Sequence, residues 1–462
     1  MTSVESEYRR VSFWHASAPG ELSPRSPLPG DTDADVAVVG AGFTGLWTAY
    51  YLAKADPSLR IVVLEREIAG FGASGRNGGW VVGELAAQSP AVARAAGVEA
   101  AVAMSRTLHA TVDEVGAVAA AEGIDCHYAK GGSLYFALNR AQLERLDARL
   151  ATVRRFGFGD DDYRRLSARE TTARINASGV HGGMYSVHCA VIHPARLARG
   201  LADVVERLGA HLHEQTNVER IEPGVVMTNR GRVRAEVVVR ATEAYTPQLL
   251  GQERALIPLG NYMIATEPLA PEVWAEIGLE RREAFEDGRH LIFYGQRTAD
   301  DRIAFGGLSA PYRYGSRIDH SQFANSPVHE RLRRTLVELF PVLASADVTH
   351  RWGGVLAVPR DWFPSVGFDH QSGLAWAGGY VGEGVAAANL AGRTLADLIT
   401  KQDSDLVRLP WVDRRSPDWE NEPARWLWLT GAATVLGLVD RAELLTGRRQ
   451  RWGDAIIRRL MG

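Results

Sequence analysis

The first clear pattern is an apolar, β-branched run at 35–39, cut off by glycines and followed at once by a helical pattern over 46–54. That order predicts strand, tight turn, helix. A second apolar run, 60–64, ends in Glu65, about twenty residues past the last glycine of the turn. The turn itself reads Gly40-Ala-Gly42-Phe-Thr44-Gly45. Gly40 permits the turn, Gly42 lets backbone approach a pyrophosphate, and Gly45 allows close helix–strand packing. Exposed N–H groups and the positive end of the helix then face phosphate. A carboxylate at Glu65 can accept hydrogen bonds from both ribose hydroxyls of an adenosine half. The pattern therefore predicts a dinucleotide site, without separating NAD from FAD.

Beyond this unit the patterns alternate. Residues 11–32, rich in Pro, Ser and Gly, predict an arm lying over the surface. After Glu65, positions 69–80 read AGFGASGRNGGW, a glycine density that implies backbone packed against something flat or held at positive φ. Helices are predicted over 86–122, 141–156 and 328–343, with a strand over 131–138. His193-Pro194 opens another helix, with Leu197, Leu201, Val204, Val205 and Leu208 on one face and Gly209 as its stop. His188 and His193 are read as a loop residue and a cap, because no carboxylate or cysteine stands at ligand spacing. Strands are expected over 216–221 and 237–242. From 257 to 309 strands alternate with turns, at 262–266, 290–294 and 302–305, and predict an antiparallel sheet and hence a second domain. Near the end, LAWAGGYVGEGV at 374–385 repeats the order strand, glycine turn, helix, the helix running to about 399. Its amino end can present N–H groups to developing negative charge.

The tail from 409 is aromatic and basic. Trp411, Trp419, Trp426, Trp428 and Trp452 fall in it, positions 426–439 are almost wholly apolar, and Arg448, Arg449, Arg451, Arg458 and Arg459 follow. The favoured reading is a helix docked on the protein or on a second subunit, giving a homodimer; an interfacial membrane contact is the alternative.

Composition narrows the classes. A chain of 462 residues suggests two domains and a tail. Its net charge of −3 gives no reason to expect nucleic acid. Cys126 and Cys189 form no C-x-x-C pair, so a disulfide framework, a zinc site and an iron–sulfur cluster are not expected, and no metal is assigned. No apolar leader and no bilayer-length run is visible. A cytoplasmic setting fits.

Gly72-Ala-Ser-Gly-Arg-Asn-Gly-Gly-Trp80 and Asn389-Leu-Ala-Gly-Arg-Thr-Leu-Ala-Asp397, set in this order of elements, resemble the D-amino-acid oxidase superfamily of FAD-dependent oxidoreductases. The chain looks most like its gamma-glutamylputrescine oxidoreductase group, from the Ser12-Phe-Trp14 arm to the tail. The resemblance implies an α/β (α+β two-domain) fold: a Rossmann-like FAD-binding domain with an interleaved antiparallel-sheet substrate domain. The expected spans are 1–32 for the arm, 33–85, 185–250 and 349–402 for the FAD domain, 86–184 and 251–348 for the substrate domain, and 403–462 for a helical tail. Gly40, Gly42 and Gly45 would serve the pyrophosphate, Glu65 the adenosine ribose, Val218 the adenine and Thr242 the phosphates, with Thr44 and Arg66 also binding the cofactor. Ser74, Asn77, Gly78 and Gly79 would run beside the flavin, and Gly379, Tyr380, Gly382, Gly384 and Val385 would form the helix start at its N1/C2-carbonyl edge.

The implied reaction is hydride transfer from a neutral amine or amino acid to flavin N5, giving an imine hydrolysed to an aldehyde or keto acid. Oxygen or a quinone-type carrier would take the electrons. Tyr262, His290, Tyr294 and Trp352 are the pocket candidates. Relatives in the group tend to carry Gly-Gly-Arg where Gly306-Gly-Leu308 stands, and asparagine where Glu243 stands. Sarcosine-oxidase relatives attach their flavin through a cysteine in this strand and use a lysine near N5. No cysteine stands there, and Lys54, Lys130 and Lys401 are the chain's only lysines, so non-covalent FAD and slow reaction with oxygen are expected. Two other readings remain open: a 2-hydroxy-acid or polyol dehydrogenase using a pair among Arg297, Arg302 and Arg313, and a non-catalytic FAD-holding subunit.

Overall fold

The computed structural model describes residues 3–86, 89–310, 312–324, 326–450 and 452. Arg451, Arg458 and Arg459 of the basic tail lie outside the described residues.

Two eight-stranded sheets organise the chain. In the first, Thr32–Val39 lies parallel between Gly231–Arg240 and Ile61–Leu64. Leu374–Gly378 extends it on one side in parallel, and the antiparallel strand Ser365–Asp369 closes that edge. His211–His213 closes the other. Val218–Glu222 and Val225–Thr228 form a meander with Gly231–Arg240. The helices Phe43–Ala55, Gly384–Ile399, Pro194–Arg207 and Val98–Ala121 cover this sheet and share its core. Leu46, Trp47 and Leu52 of the first of these are fully buried, each worth about 1.5–3 kcal/mol. Gly392 makes the crossing of the first two tight, since a Cβ there would meet the Trp47 backbone at 2.7 Å.

The second sheet runs Val348–Val358, Ile257–Thr266, Ile303–Ala310, Phe293–Arg297, Ala284–Asp287, Ser133–Ala137, Gly182–Ser186 and Tyr163–Leu166. Every pair is antiparallel except Ala284–Asp287 with Ser133–Ala137.

Several expectations shift against this frame. Val348–Val358, read from sequence as part of the nucleotide half, pairs along its length with Ile257–Thr266 in the second sheet. Residues 98–121, read as substrate domain, pack into the nucleotide-side core through Met104, Leu108, Val112 and Val115. Their helix is separate from Ser89–Ala96, because Gly97 takes φ 92° and stops the run. The strand expected at 290–294 begins three residues later, at Phe293. The first part of the arm does not ride on the surface, although most of 17–31 is exposed or half-buried. Phe13, Trp14 and His15 are buried in a short helix, Phe13–Ala16, whose Ser12 hydroxyl donates to Gly75 O and whose Trp14 indole donates to Asn77 O.

The tail forms the helix Ala424–Thr446, which docks on the second sheet's side of the protein. Leu429, Leu436 and Val439 are buried, while Leu427, Leu438 and Leu445 stay exposed. Asp440 accepts from the backbone N–H groups of His290 and Leu291 at 2.8 and 2.9 Å, and Arg145 pairs with Glu443 at 2.6 Å. No described helix is long and apolar enough to cross a membrane.

Candidate active site

A groove of about 340 Å³ opens above the carboxyl ends of the parallel strands. Gly40, Gly42, Thr44, Glu65, Arg66, Ser74, Val218 and Thr242 line it, all expected from sequence. Gly40 sits at φ +106° with Ala241 O only 2.6 Å from where a Cβ would be, and a Cβ on Gly45 would lie 1.9 Å from Gly40 O. Only glycine lets the turn close. Glu65 accepts from Ala41 N at 2.9 Å and from Glu67 N at 3.0 Å, so it braces the turn as well as facing the groove. Burial raises its pKa above the ordinary carboxylate range. Ser74 ties the glycine-rich loop to the helix start by accepting from Phe43 N at 2.8 Å.

The groove meets a second cavity, of about 170 Å³, at the shared residue Ala73. This one lies between the glycine-rich loop, the second sheet and the start of the helix Gly384–Ile399. Asn77, Gly78, Gly382 and Val385 line it, as expected. The remaining assigned residues support the walls. Gly79, at φ +74°, donates to Asn77 Oδ1. Gly379 and Tyr380 give their N–H groups to Glu243, and Tyr380 OH meets Thr44 Oγ1 at 3.0 Å, joining the two helix starts. Gly384 is the first residue of its helix.

Of the four pocket candidates, only Tyr294 lines the cavity. Its hydroxyl donates to Met263 Sδ at 3.3 Å across Gly306, where a side chain would collide with both. Tyr262 is one residue off. Its neighbours Asn261 and Met263 line the cavity, so strand alternation puts the Tyr262 ring on the opposite face of the sheet, against Phe323 and His329. Trp352 lies beneath the loop with its indole donating to Arg76 O. His290 faces a different, larger cavity of about 480 Å³ and sits under the tail helix, 3.8 Å from Glu443.

Sequence reasoning missed two acids. Glu286 stands directly across from Tyr294 in the strand register, and Glu383 caps the helix start; both line the cavity. Burial pushes Glu286 up to about 8 against the pull of Arg149. Burial and Glu84 push Glu383 up to about 7. The alternation of Ala284–Asp287 could have marked Glu286, and the helix-start motif already contained Glu383. Glu243, noted only as a departure, is a brace between two strand ends, and burial pushes it up to about 7.

The arginines of the hydroxy-acid reading are spent elsewhere: Arg297 on Asp301, Arg302 on Asp300, Arg313 on Asp319. His193 caps its helix by accepting from Arg196 N, as read. His188, however, has a carboxylate beside it after all. Asp162, remote in sequence, bonds its Nε2 at 2.9 Å, and the His109 ring stacks on it at 3.5 Å.

A two-cavity site with a helix start at each end and a glycine cradle is that of a dinucleotide-dependent oxidoreductase. The FAD dependent oxidoreductase (DAO) family model matches residues 35–398, and the chain belongs to that family. It is 30% identical over 398 residues to gamma-glutamylputrescine oxidoreductase of Escherichia coli (strain K12), covering 84% of this chain and 89% of that protein. Glycine oxidase of Geobacillus kaustophilus (strain HTA426) is 25% identical over 383 residues, 82% of this chain and 96% of that one. The crystal structure of glycine oxidase from Geobacillus kaustophilus superposes with a TM-score of 0.70 at 21% identity, covering 84% of this chain and all of that one. That of L-proline dehydrogenase from P. horikoshii gives 0.68 at 19%, with 82% and 96% covered. FAD fits the residues present: the groove carries the glycine cradle and buried carboxylate for its adenosine diphosphate half, and the adjoining cavity lies at a helix start.

Proposed function

We propose that the protein oxidises an amine or amino acid at a carbon bearing hydrogen, giving an imine that water hydrolyses to an aldehyde or keto acid. The observation that carries this is that the dinucleotide groove adjoins, at Ala73, a cavity walled by aromatic rings and carboxyls. FAD, when bound, supplies the acceptor for the hydride. The chain's own residues do the rest. Trp80 and Tyr294 meet edge to face, 5.7 Å between ring centres, and form an apolar wall that excludes water. Glu383 and Glu286, with pKa values near neutrality, can take the proton that an ammonium must lose before its carbon gives up hydride. The unpaired N–H groups at the start of Gly384–Ile399 favour negative charge at that end of the cavity.

FAD is held non-covalently on this reading. Cys126 and Cys189 are both buried, and burial raises both thiols, leaving little thiolate. Oxygen is a poor acceptor. Lys54 and Lys130 are paired with Glu122 and Asp113, Lys401 is exposed, and none lines either cavity. A quinone or dye acceptor is expected to outpace air.

The test is an anaerobic screen of amines, amino acids and hydroxy acids, following loss of the oxidised flavin band. Bleaching by amines or amino acids supports the reading; bleaching by hydroxy acids alone overturns it. Acid precipitation should leave FAD in the supernatant, and yellow pellets would overturn the non-covalent assignment.

A further inference from the structure

Within the amine-oxidising reading, on which this inference rests, the cavity also says what the amine should carry. Its described polar lining is rich in acceptors, beside the Trp80 indole N–H, which is buried without a partner. Glu286 and Glu383 present carboxyls, and Asn261 Oδ1 is buried with no hydrogen-bond partner in the protein. Trp80 and Tyr294 add ring surface suited to a cation.

Apart from the positive start of Gly384–Ile399, the charge opposing these acids is small. Arg149 pairs with Glu84, reaches Glu286 only at 3.9 Å, and lies over the Tyr135 ring. Arg76 is the one arginine among the described lining residues. Its Nε is spent on Phe71 O, its Nη1 on Gly353 O and His320 Nδ1, and its plane on the Phe71 ring. The adjoining strands offer no replacement. Ile303–Ala310 contains no arginine, Arg297 is held by Asp301, and Arg351 is exposed with its Nη1 on Val348 O. A substrate carboxylate in this cavity would therefore meet two carboxyl groups without a guanidinium fork to receive it.

We propose that the substrate is an amine with no carboxylate at the reacting carbon and a second positive charge at its far end, an α,ω-diamine or related polyamine. Two acids suit two nitrogens. One carboxylate takes a proton from the reacting ammonium, leaving a neutral amine and a neutral carboxyl. The other keeps the remaining ammonium paired. Loss of hydride then gives the iminium, and water converts it to an aldehyde with release of ammonium.

Three compounds of equal chain length test this: an α,ω-diamine, the n-alkylamine and the ω-amino acid, over chains of three to six carbons, each followed by anaerobic bleaching. The diamine should exceed the alkylamine in kcat/KM by about tenfold or more, and the amino acid should be slowest. In Glu286→Gln and Glu383→Gln, with FAD content confirmed by absorbance, one variant should raise KM for the diamine alone. The other should lower kcat for diamine and alkylamine together.

Calorimetry with an unreactive bis-quaternary alkane-diammonium, against its mono-quaternary analogue, gives a readout free of turnover. The dication should bind about tenfold tighter to the wild type, and the advantage should shrink in both variants. Equal binding of the two probes overturns the proposal, as does an unchanged diamine-to-alkylamine ratio in both variants. Amino acids outpacing diamines would overturn it while leaving amine oxidation standing. Bleaching by none of the three would overturn the proposal, while amine oxidation itself would stand or fall on the wider anaerobic screen.

Discussion

Glu65→Ala tests the link between the nucleotide turn and cofactor retention. In the wild type the carboxylate accepts two backbone N–H groups, from Ala41 and Glu67, at 2.9 and 3.0 Å. Bonds of this kind to a charged acceptor contribute about 1.5–3 kcal/mol each, but they share one acceptor group and do not add. Burial opposes them, since it favours the neutral carboxyl. Removing the side chain therefore removes a strained charge together with its bonds, and the apoprotein should lose less stability than the bonds alone imply. FAD binding has no such offset. The loss of the ribose acceptor and of the bracing at Ala41 should weaken it by about 1.5–3 kcal/mol, roughly 10- to 150-fold in Kd. Quenching of FAD fluorescence on titration with apoprotein measures this directly. Glu65→Gln, which keeps one acceptor oxygen, should fall between. A Kd within about threefold of wild type in Glu65→Ala would refute the role, and colourless protein that binds NADH instead would refute the cofactor.

Four further outcomes are expected. Because a base must be ionised to take a proton, kcat/KM for an amine should rise with pH through a limb at about 7–8, and Glu383→Gln or Glu286→Gln should remove or move that limb. The same raised values make the folded apoprotein bind more protons than the unfolded chain between about pH 4.5 and 8, so its Tm should fall as pH rises through that window, less steeply in the double Gln variant. Asp440→Ala leaves the His290 and Leu291 N–H groups without their acceptor and should cost about 2–4 kcal/mol, read as a lower Tm and faster proteolysis of the tail; an unchanged Tm would dismiss the docking. Gly45→Val should yield little folded protein, because its Cβ would enter the Gly40 carbonyl at 1.9 Å; wild-type FAD content would contradict the close-packing argument.

Local signals determined much of this protein. The strand–glycine–helix order at 35–45 and again at 374–385, the acid closing the second strand, and the apolar face of Pro194–Arg207 all follow from chain-local sterics and periodicity, and all stand in the structure where the sequence puts them. Of the groove residues, Gly40, Gly42 and Glu65 were legible for the same reason, since a turn that only glycine can make leaves a local mark; Thr44, Arg66, Ser74, Val218 and Thr242 followed only from the family resemblance. The sheet wall of the adjoining cavity left no such mark. A strand shows its face only through alternation, and the phase of Ile257–Thr266 puts Asn261 and Met263 in the cavity and Tyr262 on the opposite face. The tail's partner was equally hidden, because its apolar run fits any apolar surface until Asp440 and Glu443 find His290, Leu291 and Arg145. Glu286 and Glu383, nearly a hundred residues apart, become one acidic site only when two sheets and a helix start close around them. The sequence sets each charge, and the fold alone decides which charges must share one cavity.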